Sequence, residues 1–296
     1  MELRQMRYFV AVAQELHFGR AAARLHISTP TLSQQIKAVE REIGAPLLIR
    51  HSRGVDLTPA GRVLLRAAQD VLRSAEEALR ATRRTAGVAA PVLRLGLLNG
   101  VPPWLPARIE DVLAARVPGC RTVMTGGTTA AQVRLLDSGE VDLALLRSPV
   151  TLPAGLRQTP VAEEELGVLM SAGHPLTDRD TLDLADLAGQ ELILFPRESA
   201  PGLHDRVLET LRSGGAGIAL SDSAMGHAQL RSALPLLPAA IGLSSARGAA
   251  LPDLAWRPLR GRPLVVGYAA AWHSESRDPA VHAVLAALSG GRVEPS

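Results

Sequence analysis

Cysteine, lysine and aromatic side chains are nearly missing from this chain of 296 residues, which holds one Cys, one Lys and eight Phe, Trp and Tyr together. A lone Cys120 cannot close an intramolecular disulfide or supply a thiolate cluster for zinc, which fits a reducing compartment. No apolar run approaches the roughly 18 residues that a membrane-spanning helix requires. Residues 1–18 are interrupted by Arg4, Arg7, Gln14 and Glu15, so they lack the unbroken apolar stretch of a secretory leader. A cytoplasmic protein with no membrane partner is the expectation. The chain also lacks a Walker A run, HExxH, CxxC and GxSxG, and its eight His are scattered from position 17 to 282 without metal-ligand spacing. No metal, cofactor or catalytic residue is therefore expected.

What the chain does have is a 47% apolar composition with 21% charged residues, the balance of a folded globular protein long enough for two domains. Its charge is unevenly placed. Residues 1–90 hold 13 Arg and one Lys against 8 acidic residues, net +6, whereas the remainder holds 18 Arg against 21 acidic residues, net −3. A basic end on a mildly acidic body is the footprint of a nucleic-acid module joined to something else.

Hydrophobic periodicity divides the chain further. Leu3, Met6, Val10 and Ala13 recur at helical intervals, which predicts a first helix over about 2–15. A short second helix follows over 19–25. Thr29-Pro30 opens a third, with a capping hydroxyl beside a proline in the first turn. Leu32, Ile36, Val39 and Ile43 bury one face of it, leaving Thr31, Gln34, Gln35, Lys37 and Arg41 on the other. Gly44 ends that helix, and residues 47–57 read as two short strands around a basic tip, Arg50-His51-Ser52-Arg53-Gly54. Three helices and a basic hairpin describe a winged helix-turn-helix over 1–58. Thr58-Pro59 then starts a long helix reaching about Gly87, roughly 42 Å at 1.5 Å per residue. From 88 to 296 strands alternate with helices, which predicts mostly parallel sheets arranged as two α/β lobes.

Four segments carry a family resemblance. They are Phe18 to Ser28 (FGRAAARLHIS), Thr31 to Lys37 (TLSQQIK), Glu42 to Leu48 (EIGAPLL) and Arg53 to Gly61 (RGVDLTPAG). In this order and spacing they resemble the LysR-type transcriptional regulators, over about 60 residues. The resemblance implies a sequence-specific DNA-binding regulator whose remaining two thirds form an effector domain like a type 2 periplasmic binding protein, with a ligand cleft between its lobes. An α-helix fits the major groove, so Thr29, Pro30, Thr31, Ser33, Gln34 and Gln35 are candidates for base edges, and Lys37 and Arg41 for phosphate. Arg50 and Arg53 on the hairpin are placed for the backbone or the minor groove. The family commonly has Gln where this chain has Thr29, and a hydroxyl cannot make the bidentate contact of an amide to adenine. A half-site sequence therefore does not transfer.

In open α/β sheets ligands bind beyond the carboxyl ends of the strands. Asn99, Gly100 and Val101 follow the first strand of the C-terminal region, and Thr128 and Thr129 follow the second, each turn leading to a helix N-terminus that favours an anion. Thr128 and Thr129 could equally be plain helix caps. The resemblance implies effector contacts at these two turns and also at Pro196, Arg197, Glu198 and Ser199. The expected effector is an anionic or aromatic small molecule with an apolar body and one polar end. Leu65, Ala68, Leu72, Ala75 and Leu79 are spaced as a coiled-coil seam along the long helix, which predicts at least a homodimer on double-stranded DNA. The resemblance extends this to a tetramer, with RNA polymerase as a further partner. Two other readings stand beside this one: a ligand-binding α/β protein with little DNA activity, and a hydrolase whose residues meet only in space.

Overall fold

In the computed structural model, residues 1–52 and 54–288 are described, and the chain divides into two units, Met1–Ala90 and Pro91–Ser296. The expected hairpin residue Arg53 lies outside the described residues.

The first unit begins with α1 (Leu3–Glu15), α2 (Phe18–Arg24) and α3 (Thr29–Ile43). The apolar stripes meet at Phe9, Val12, Leu32, Ile36 and Val39, all fully buried, while Ala21 and Ala22 let α2 approach closely. The helix cap differs from expectation. Ser28, not Thr29, caps α3, its hydroxyl accepting from the Thr31 N–H, and Thr29 is the first helical residue. A Thr-Pro pair satisfies the sequence rule, but the residue before it is the one with extended backbone, which is what a cap requires.

Strands β1 (Leu48–His51) and β2 (Gly54–Leu57) form the antiparallel wing. Thr58 caps α4 (Pro59–Thr85) by accepting from the Gly61 N–H. Gly61 is required there, because a Cβ would lie 2.1 Å from the Leu47 carbonyl oxygen. The N-terminal half of α4 packs on α1, burying Ala68 and half-burying Leu65.

The second unit holds β3 (Val92–Leu98), α5 (Trp104–Arg116), β4 (Arg121–Gly127), α6 (Thr129–Asp137), β5 (Leu143–Ser148), β6 (Leu156–Glu165), β7 (Gly167–Ser171) and β8 (Glu191–Ile193). It continues with α7 (Pro201–Ser213), β9 (Ala219–Leu220), α8 (His227–Ala233), β10 (Ala240–Ser244), β11 (Leu254–Arg257), β12 (Val265–His273) and α9 (Pro279–Leu288). Two five-stranded sheets result, ordered β4-β3-β5-β12-β6 and β11-β7-β10-β8-β9. They are the two lobes. The expected mostly parallel pairing is corrected: β3 pairs parallel with β4 and β5, but β12 runs antiparallel to β5 and β6, and β7 antiparallel to β10 and β11. The physical reason is the double crossing. The chain leaves the first lobe through β6 into β7 and returns through β11 into β12, so the returning strand enters its sheet against the grain. The sequence reading also missed β10, a central strand, and α8 before it. Ala-Ile-Gly-Leu-Ser is too short and too mixed to announce a buried strand.

Candidate functional site

Two places in the chain gather polar side chains. The first is α3 and the wing beside it. Thr29, Pro30, Thr31, Gln34, Lys37 and Arg41 are exposed on the face opposite Leu32, Ile36 and Val39. Ser33 and Gln35 are half-buried and turn inward: the Ser33 hydroxyl accepts from the Arg50 guanidinium at 3.2 Å, and the Gln35 carbonyl accepts from the Gln5 amide at 3.5 Å. Arg50 itself lies 4.6 Å above the Phe18 ring and 3.9 Å from Glu40, so it braces the wing against α2 and α3. Glu40 completes the brace. One of its oxygens accepts from the Leu47 N–H at 3.0 Å and the Leu48 N–H at 3.3 Å, which fixes where the wing leaves the helix. Sequence reading missed Glu40, since a carboxylate on a basic helix looks like an ordinary solvated charge.

The residues of the coiled-coil stripe divide along α4. Ala68 is buried within the unit, Leu65, Leu72 and Ala75 are half-buried, and Leu79 is 52% exposed. The far end of the helix therefore shows an apolar stripe to its surroundings.

The second place is the cleft between the lobes. The two expected turns are neighbours: the Asn99 N–H donates to the Gly127 carbonyl at 2.7 Å, and the Gln132 amide donates to both the Leu97 and Thr125 carbonyls. Thr128 caps α6, accepting from the Ala131 N–H. Thr129 is buried and its hydroxyl accepts from the Arg147 N–H at 3.1 Å. Val101 is half-buried. The Arg197–Ser199 turn packs against α6, where Arg197 makes a bidentate pair with Asp205 at 2.8 and 2.7 Å. That hydrogen-bonded guanidinium pulls the Asp205 carboxyl down to about 2. Glu198 is exposed, while Pro196 and Ser199 are half-buried.

A cavity of about 60 Å³ lies beside these turns, and of the expected residues only Gly100 lines it. Its polar wall comes from residues the sequence reading did not single out: Arg147 at the end of β5, Tyr268 on β12, His227 on α8, Ser244 on β10 and Arg247 just after it. Glu164 of β6 sits behind them. It accepts from Arg247 Nε at 2.7 Å and Nη2 at 2.6 Å, bonds that join the two lobes, and from the Tyr268 hydroxyl of its own sheet at 2.7 Å. Arg147 donates to the Asn99 carbonyl at 2.8 Å. His227 faces the Ser244 hydroxyl at 2.9 Å. Burial, then the charges of Arg147, Arg231 and Arg247, push the His227 imidazole down to about 4, so it is neutral at pH 7. Burial and the Glu164 carboxylate push the Tyr268 hydroxyl up, so it stays protonated and donates. No sequence signal separates Glu164 from its neighbours; in the structure it falls on the inward side of β6 between exposed Glu163 and half-buried Glu165.

Among the described residues no three His, Cys, Asp or Glu side chains come together as metal ligands, and no helix is long and apolar enough to cross a membrane. Residues 3–62 match the family of bacterial regulatory helix-turn-helix proteins of the lysR type, and residues 86–291 match the LysR substrate binding domain. The HTH-type transcriptional regulator BudR of Raoultella terrigena is 34% identical over 292 residues, 96% of this chain and 99% of that one. Among solved structures, full-length OxyR from Pseudomonas aeruginosa superposes with a TM-score of 0.67 at 26% identity, covering 98% of each chain. Full-length CbnR in complex with its target DNA superposes with a TM-score of 0.64 at 27% identity, covering 97% of this chain and 99% of that one.

Proposed function

The chain belongs to the LysR family of bacterial transcriptional regulators, DNA-binding proteins with a separate substrate-binding domain, and from that premise we propose how its parts divide the work. Residues 1–58 read DNA, residues 59–87 pair two copies of the chain, and residues 88–296 bind a small effector. The observation that carries the reading is the face of α3, where Gln34, Lys37 and Arg41 stand exposed beside a wing held in place by Glu40 and Arg50. Gln34 has the donor and acceptor to grip an adenine edge, and Lys37 and Arg41 have the charge and reach for phosphate. Ser33, Gln35 and Arg50 act as positioning residues for this face, since their polar groups are engaged within the unit.

Two copies paired along Leu72 to Leu79 would present two α3 helices to an interrupted inverted repeat. CbnR, a structural neighbour, is itself seen on its target DNA. The effector binds in the cleft near Asn99, Gly100, Val101, Thr128 and the 196–199 turn, and shifts the DNA complex by binding one conformation better than another. Catalysis has no part in this reading, and the cytoplasm, where the DNA is, is the place of work. One cysteine excludes an intramolecular disulfide as the signal.

The test is a gel-shift titration against the inverted repeat and against random DNA. Gln34→Ala is expected to reduce discrimination between them by about 1–3 kcal/mol while leaving binding to random DNA unchanged. Equal affinity of the unaltered protein for both DNAs would defeat the reading. For assembly, Leu72→Asp places a charge on the stripe, and light scattering is expected to show fewer copies per particle together with weaker DNA binding. A monomeric unaltered protein that occupies both half-sites would refute the pairing.

A further inference from the structure

The cavity between the lobes has an unbalanced charge. Its wall includes the apolar Phe195, Leu203 and Val266 and, close to one another, the polar Arg147, Arg247 and Tyr268. Two guanidiniums meet one carboxylate there. Glu164 is taken by Arg247 through both oxygens and by the Tyr268 hydroxyl. Arg147 reaches a neutral acceptor, the Asn99 carbonyl. His227 adds no charge at pH 7, and the remaining charged neighbour that bears on it, Arg231, is another cation. Next to apolar walls, an excess positive charge is costly until an anion meets it.

We infer that this cavity takes a short aliphatic monocarboxylate of roughly two to four carbons, its carboxylate between Arg147 and Arg247 and its alkyl end toward Phe195 and Leu203. One negative charge restores balance, and a dicarboxylate would overshoot it. Size sets the other limit. A cavity of about 150 Å³ is what holds a benzene ring, and this one measures about 60 Å³. Glu164 is an internal rival for the same guanidinium. A ligand that draws Arg247 away from Glu164 loosens a bond between β6 in one lobe and the segment after β10 in the other, which gives binding a route to lobe movement.

The inference rests on the proposed role of residues 88–296 as effector domain, and the experiment separates the two. Trp256 donates its indole N–H to the Ser244 carbonyl at 2.8 Å, so its fluorescence reports on the cavity wall. The full-length protein is titrated with acetate, propionate, butyrate, benzoate and acetamide, by calorimetry and by Trp fluorescence, and then gel shifts are repeated with each compound. Saturable binding of the short carboxylates, with acetamide and benzoate at least tenfold weaker, is the expected result. Arg147→Gln should weaken binding about 10- to 100-fold, and Glu164→Gln should tighten it, and a folding defect cannot produce both signs. Equal binding of acetamide, tighter binding of benzoate, or the same affinity in both variants as in the unaltered protein overturns the inference. A DNA complex that responds only to acetamide, with no heat from the carboxylates, defeats it while leaving the regulator reading intact. Carboxylate binding in a protein that shows no specific DNA binding upholds it and defeats that reading instead.

Discussion

The two polar sites of this protein are built in opposite ways. Thr29, Thr31, Gln34, Lys37 and Arg41 lie within 13 residues of one another on one exposed helix face, and the side-chain bonds of Thr31 and Arg41 are local, to Ser28 and to the Lys37 carbonyl. Arg147, Glu164, His227, Ser244, Arg247 and Tyr268 come from distant parts of the chain, and Glu164 and Arg247, 83 positions apart, are partners to each other. A surface that must recognise a long external polymer can be laid out along a single helix. A cavity that must enclose a small molecule has to draw on several elements, because no one element can surround it.

The contrast can be broken experimentally, since all three Trp, at 104, 256 and 272, lie in the second unit. Trp fluorescence therefore follows that unit alone, while circular dichroism follows both. The largest effect is expected from Glu40→Ala, which strips two backbone N–H groups of their acceptor and should cost the first unit about 3 kcal/mol. Denaturant unfolding should show the loss in the dichroism and leave the fluorescence transition in place. Movement of both signals together would mean that the units do not unfold separately.

Tyr268→Phe should do the reverse at smaller scale. It removes one hydrogen bond to the buried Glu164 carboxylate, which keeps Arg247, so a loss of about 1.5 kcal/mol is expected in the fluorescence transition only. An unchanged midpoint would show that the hydroxyl contributes nothing to holding the Glu164 carboxylate.

The smallest effect concerns pH. His227 titrates near 4 when folded and near 6.5 when unfolded, so between these values the unfolded chain holds a proton that the folded chain does not. Stability of the second unit should therefore fall as pH drops from about 6.5 toward 4 and be unaffected above that window. The imidazole is partly exposed and faces Arg147, Arg231, Arg247 and Glu164, so solvent screening reduces the amplitude. His227→Asn should flatten the pH dependence over that window relative to the unaltered protein. Parallel curves for the two proteins would show that the imidazole is not the titrating group.

Much of the first unit was legible in the chain. Its helices follow a 3.6-residue period, Gly44 and Thr58 mark their ends, and the basic hairpin lies between two short apolar runs, all signals read over a few neighbouring positions. The same local reading placed a cap on Thr29 instead of Ser28, because Thr and Ser offer the same hydroxyl and only backbone geometry chooses between them. Arg50 is exposed on the wing, and only the structure shows that it also contacts Phe18, Ser33 and Glu40. In the second unit the alternation of strands with helices was readable, but the antiparallel return of β12 was not, since pairing direction follows from where a strand re-enters and not from its composition.

Sequence by itself determined the amphipathic face of α3, the wing, the length of α4 and the alternation that builds two lobes, because helix period, capping and turn chemistry act between residues a few positions apart. Tertiary structure alone decided which charges are solvated and which are paired. Glu164 resembles Glu163 and Glu165 on either side of it, yet only Glu164 falls inward, where Arg247 and Tyr268 arrive from another lobe and another strand to meet it. A buried charge is stable only with a partner at hydrogen-bond distance, and that distance is set by folding rather than by separation along the chain.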